Sequence, residues 1–132
     1  MELHLHIIGV LLTVLAVVHI GFPTYFKWKT ELKHLSLINL EMMYVHTFFV
    51  ALIVLLMGLL CITSAHELIT TPLGNKIVLG LCVFWTTRLF IQFFGYSSAL
   101  WKGKLFETSM HILFSVLWAY VSVVFFITYW QF

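Results

Sequence analysis

Four long apolar runs, separated by short polar stretches, dominate this 132-residue chain. They lie near residues 3–22, 41–63, 72–95 and 108–130. Each is long enough to cross the hydrocarbon of a bilayer, which takes roughly 20 helical residues. None alternates apolar and polar positions with period two, so a transmembrane barrel is excluded. An open chain in lipid can then satisfy its backbone only as helix. The pattern predicts an all-α integral membrane protein, a four-helix bundle running up-down-up-down, with residues 1–132 forming a single transmembrane domain.

The residues between the runs agree. Pro23 in "GFP" cannot continue a helical ladder and is expected to end the first helix. Thr71 before Pro72 has the form of an N-cap and a first-turn proline. Gly95 is a candidate left-handed stop for the third helix. The first connection, 24–40, is the longest. In "TYFKWKTELKHLSL", Tyr25, Trp28, Leu32 and Leu35 fall within an arc of roughly 80° at a helical 100° per residue, with Lys27, Lys29, Lys33 and His34 around the rest. This predicts a short amphipathic helix at the interface; a plain loop with aromatic anchors is the alternative. "MELHLHIIGVLL" lacks the basic leader of a signal peptide, and "VVHIGFP" lacks a small-residue cleavage site, so the first run is expected to be retained.

Composition sharpens the class. Hydrophobic residues make up 62% of the chain and charged residues 9%, with a mean hydropathy of +1.06; soluble domains are about 25% charged. The net charge of +2 leaves no basic face for nucleic acid. The bilayer is the expected partner, with other membrane proteins or further copies of the chain as candidates. Lys27, Lys29, Lys33, Lys102 and Lys104 fall in the first and third loops, against Lys76 and the amino terminus on the other side. The bias predicts loops 1 and 3 in the cytoplasm and both termini outside. Cys61 and Cys82 sit in apolar runs without zinc or redox spacing.

Ionisable and amide groups inside a span are costly and usually face the bundle interior. Here they are His19, His46, Arg88, Gln92 and His111. Counted from the nearest helix end at 1.5 Å per residue, they lie roughly 5 to 10 Å inside, all near the cytoplasmic surface. Helical phase aligns His111 with Ser115, Trp118 and Ser122, and one turn earlier with Glu107. It also aligns Arg88 with Leu81, Trp85 and Gln92, His46 with Met43 and Val50, and His19 with Leu12 and Ala16.

Such a layer suits several chemistries. A b-type haem takes two imidazoles from facing helices and cations for its propionates; His46 and His111 would be the axial pair, with Arg88 and Gln92 beside them. A transition metal such as zinc, copper or iron would use His19, His46 and His111, with Glu107 as carboxylate. No HExxH or histidine cluster singles out either. The expected function is a small multi-pass membrane protein with a cytoplasm-side polar pocket that binds haem or a metal ion in a redox role. The alternative is an accessory or transport subunit whose polar layer is an interhelical network or takes a quinone, lipid headgroup or small anion.

Overall fold

The four apolar runs become four long helices in the computed structural model, which describes residues 1–96, 100 and 102–132. The order is α1 (Glu2–Val18), a 3-10 turn (His19–Gly21), α2 (Phe22–Tyr25), α3 (Trp28–Glu31), α4 (Leu37–Thr63), α5 (Ala65–Thr70), α6 (Pro72–Phe94) and α7 (Leu105–Trp130). No strand occurs among the described residues. Four segments are long and apolar enough to cross a membrane: Glu2–Tyr25, Leu37–Thr63, Pro72–Phe94 and Leu105–Trp130. Val14, Phe48, Val83 and Leu113 are among the many large apolar side chains that stay exposed along them. Such a surface is penalised in water and at no disadvantage against lipid tails.

The chain divides into two units, Leu3–Ala65 and Met1–Glu2 with His66–Phe132. In the first, α1 and α4 meet at two glycines. A Cβ on Gly9 would stand 2.7 Å from the Gly58 carbonyl oxygen, and one on Gly58 would stand 2.8 Å from the Gly9 carbonyl oxygen. Only hydrogen fits between these backbones, which is how small residues drive close helix packing in lipid. Leu5, Ile8, Leu12 and Val54 are buried in this unit.

The connection between α1 and α4 departs from the expected interfacial helix. It forms two single turns, α2 and α3, broken at Lys27, whose φ of 54° and ψ of 49° are left-handed. An L-residue there cannot carry a right-handed helix through. The break lets Trp28 turn back and bury its ring edge-on against Tyr44 of α4, at 5.1 Å between centroids. Pro23 does not end the helical path either. It sits in the first turn of α2, where a missing N–H costs nothing. Further along, α4 begins at Leu37 rather than 41, because Ser36 caps it by accepting a hydrogen bond from the Asn39 amide.

In the second unit α6 and α7 pack as an antiparallel hairpin. Asn75, early in α6, donates its side-chain amide to the Tyr129 carbonyl late in α7, while Gln92, late in α6, reaches His111 early in α7. The Thr71 cap forms as expected, accepting from the Gly74 amide at 2.9 Å. Gly95 does not take the left-handed stop; its φ of −89° and ψ of −21° remain right-handed. Helix α7 starts at Leu105, three residues before the expected 108. The short α5 was not legible as a separate element. It folds onto α6 where Gly74, lacking a Cβ, admits its backbone. Both cysteines are buried free thiols.

Candidate functional site: two imidazole environments

Of the polar residues expected in one layer, His19 and His46 belong to the first unit and Arg88, Gln92 and His111 to the second. In the first, His19 and His46 line a common cleft of about 560 Å³. Its other walls come from Phe22, Phe26 and Trp28 of the broken connection and from Met43 and Val50 of α4, with Glu31 and Thr47 as polar members. The His19 ring rests on Phe22 at 4.5 Å between centroids. This volume falls inside the range of roughly 300–1,000 Å³ usual for ligand pockets, as does a mostly apolar lining with a few polar groups.

Both histidines are oriented by the same local device. Nδ1 of His19 lies 2.8 Å from the Leu15 carbonyl oxygen, and Nδ1 of His46 lies 2.8 Å from that of Met42. A carbonyl can only accept, so Nδ1 must carry the proton in each ring. The nitrogen left as acceptor in the neutral imidazole is Nε2. Fixing one ring N–H on a backbone carbonyl is the usual way a protein prepares the other nitrogen to hold a metal.

The second group is wired differently. Arg88 donates from one guanidinium nitrogen to the Gln92 side-chain oxygen at 3.2 Å, and the Gln92 amide nitrogen donates to His111 Nδ1 at 3.1 Å. Arginine has donors and no acceptors. It therefore fixes which end of the amide faces it, and the amide hydrogen must point at His111. His111 Nδ1 is thus an acceptor, and in the neutral ring its proton is on Nε2, the opposite tautomer to His19 and His46. Gln92 is 95% buried with both ends satisfied, so the chain Arg88–Gln92–His111 ties α6 to α7 through a fully used amide.

The Arg88 guanidinium carbon also lies 5.3 Å from the Trp118 ring centroid and 5.5 Å from that of Tyr96. Trp118 stacks on Trp85 at 4.9 Å. The indole nitrogens of both and the Ser122 hydroxyl are buried without a hydrogen-bond partner among the described residues. No carboxylate lies within ion-pair distance of Arg88 among the described residues. Glu107 is exposed in the first turn of α7, four residues before His111. Among the described residues no three His, Cys, Asp or Glu side chains gather as a metal-binding group. His66, in α5, instead pairs with Glu2 at 2.8 Å.

The sequence pattern singled out His19, His46, Arg88, Gln92 and His111 but not Trp28, Glu31, Phe22 or Phe26. Trp28 and Glu31 follow the break at Lys27, which no residue type there announces, while Phe22 and Phe26 precede it in and after the single turn α2. The tautomers likewise follow from hydrogen-bond partners rather than from depth in the span.

No family profile, curated protein or solved structure matches the chain. The class rests on its four membrane-span-like helices, the build of a multi-pass integral membrane protein.

Proposed function

We propose that the chain is a small multi-pass membrane protein that holds a redox-active iron or transition metal in the cleft of its first unit, with Nε2 of His19 and Nε2 of His46 as protein ligands. The observation that carries this reading is the matched pair of Nδ1–carbonyl hydrogen bonds on two histidines of one cleft. Haem is favoured over a bare ion. A bare ion wants three or four side-chain ligands, whereas haem brings four nitrogens and asks the protein for two axial imidazoles. The apolar walls suit a porphyrin, and Lys27, Lys29 and Lys33 lie on the same connection as Trp28 and Glu31 to meet its propionates. The group would supply one-electron chemistry; the protein's part is to orient the imidazoles and keep water from the cleft.

The Arg88–Gln92–His111 chain supports the structural half of the alternative, an interhelical network that fixes the α6–α7 hairpin. The finer topology belongs to the same proposal: an up-down-up-down order with loops 1 and 3 in the cytoplasm. The test is a visible spectrum of detergent-purified protein, oxidised and dithionite-reduced, with metal analysis alongside. A Soret band that shifts on reduction is expected. Absence of both haem and stoichiometric metal, after expression with each supplied, sinks the reading.

A further inference from the structure

Arg88 sits on the boundary between two faces of α6. One face, with Leu81, Trp85 and Gln92, is buried. The other lines a groove of about 480 Å³ formed by Gly80, Val83, Phe84, Thr87, Arg88 and Ile91. These positions recur at i, i+3, i+4, i+7, i+8 and i+11, a single stripe roughly 16 Å long at 1.5 Å per residue. Val83, Phe84 and Ile91 are exposed along it. Gly80 carries no side chain at the groove's inner end, where an added Cβ would stand in open space.

The charge is at the other end. Helix α6 stops at Phe94, and the Arg88 guanidinium lies 5.5 Å from the ring of Tyr96, beyond that stop. The side chain therefore runs toward the end of the span, as long cationic side chains do at membrane interfaces. It spends one donor on Gln92 and meets no carboxylate among the described residues. Lys102 and Lys104 follow in the loop at the same end, with Glu107 as the nearby acid in sequence. An apolar groove the length of an acyl chain thus ends at a cation that still has N–H donors to give.

We propose that this groove binds an anionic phospholipid, its phosphate on the Arg88 guanidinium and one acyl chain lying along Ile91, Thr87, Phe84 and Val83 as far as Gly80. Guanidinium matches phosphate through paired N–H donors. The rings of Tyr96 and Trp118 hold it by cation–π contact without neutralising it. This site is independent of the histidine cleft, and either proposal can fail without the other.

The test uses the full chain in mild detergent, exchanged against phosphatidylglycerol or phosphatidylcholine with identical acyl chains and read by native mass spectrometry. Phosphatidylglycerol should be retained about tenfold more than phosphatidylcholine, whose choline cation offsets the phosphate charge that Arg88 meets. Arg88→Gln should bring that ratio near one. Gly80→Leu, which puts a side chain across the acyl path, should lower retention of both lipids and leave the ratio in place. Should Arg88→Gln fail to fold, the paired variant Lys102→Gln, Lys104→Gln decides: the preference should survive it. A ratio near one in the unsubstituted chain overturns the proposal. So does retention unaffected by Gly80→Leu, loss of the preference in the lysine variant, or displacement of the lipid by inorganic phosphate alone.

Discussion

In the first unit two histidines each donate an Nδ1–H hydrogen bond to a carbonyl one turn behind; in the second, a histidine accepts a hydrogen bond at that same nitrogen from a buried amide. The residue type is the same. The partner differs, and with it the tautomer. A ring anchored on its own helix keeps Nε2 as an acceptor for an incoming group. A ring engaged at Nδ1 by another helix has already used the lone pair that a metal would need there, and it carries its neutral-state proton on Nε2. Arg88 makes this difference robust, because a side chain with donors alone cannot let the Gln92 amide turn round. His19 and His46 therefore share a tautomer that leaves Nε2 as the acceptor, while the chain Arg88–Gln92–His111 joins two helices.

The strongest way to break that comparison is to remove one ring at a time. His46→Ala and His19→Ala should each abolish a Soret band or bound metal, while His111→Ala should leave it in place; absorbance per protein and metal analysis decide. Loss in His111→Ala with retention in His19→Ala would reverse the assignment. Next in size is the crossing that supports the cleft. Gly58→Leu drives a side chain into the Gly9 backbone and should cost about 1–3 kcal/mol of stability, as overpacking does. Denaturant titration in detergent should show it, with cofactor occupancy falling in parallel.

The second unit should respond in stability alone. Gln92→Leu removes the amide that joins Arg88 to His111 and should cost about 1–3 kcal/mol, with the spectrum of any bound group unchanged; a changed spectrum would join the two regions functionally. The smallest expected effect is at the break itself. Lys27→Gly removes the penalty of a left-handed L-residue and should stabilise the chain by about 1 kcal/mol. If it destabilises, the break at Lys27 is not what aims Trp28 at Tyr44.

Much of the architecture was legible because lipid allows so few solutions. The spans and the Thr71–Pro72 start of α6 follow from hydropathy and cap chemistry, and helical phase puts Arg88 and Gln92 on one face of their helix. The alignment of His46 with Met43 and Val50 reappears in the lining of the cleft. Other features were not legible. The start of α4 at Leu37 under a Ser36 cap was missed, because the apolar run placed it at 41. Lys27 gave no sign of a left-handed conformation, and Gly95, free to adopt one, does not.

What the sequence determined by itself is the solvent and the secondary structure: at 62% hydrophobic and 9% charged, with runs of span length, the chain has only helices in lipid available to it. It also named the costly polar residues, because each is expensive wherever it sits in a span. Only the tertiary structure decided what those residues do. A histidine's tautomer is set by whichever donor or acceptor reaches it first, and those partners come from a backbone carbonyl one turn away in one unit and from a neighbouring helix in the other. Helical spacing offers both outcomes equally; packing selects between them.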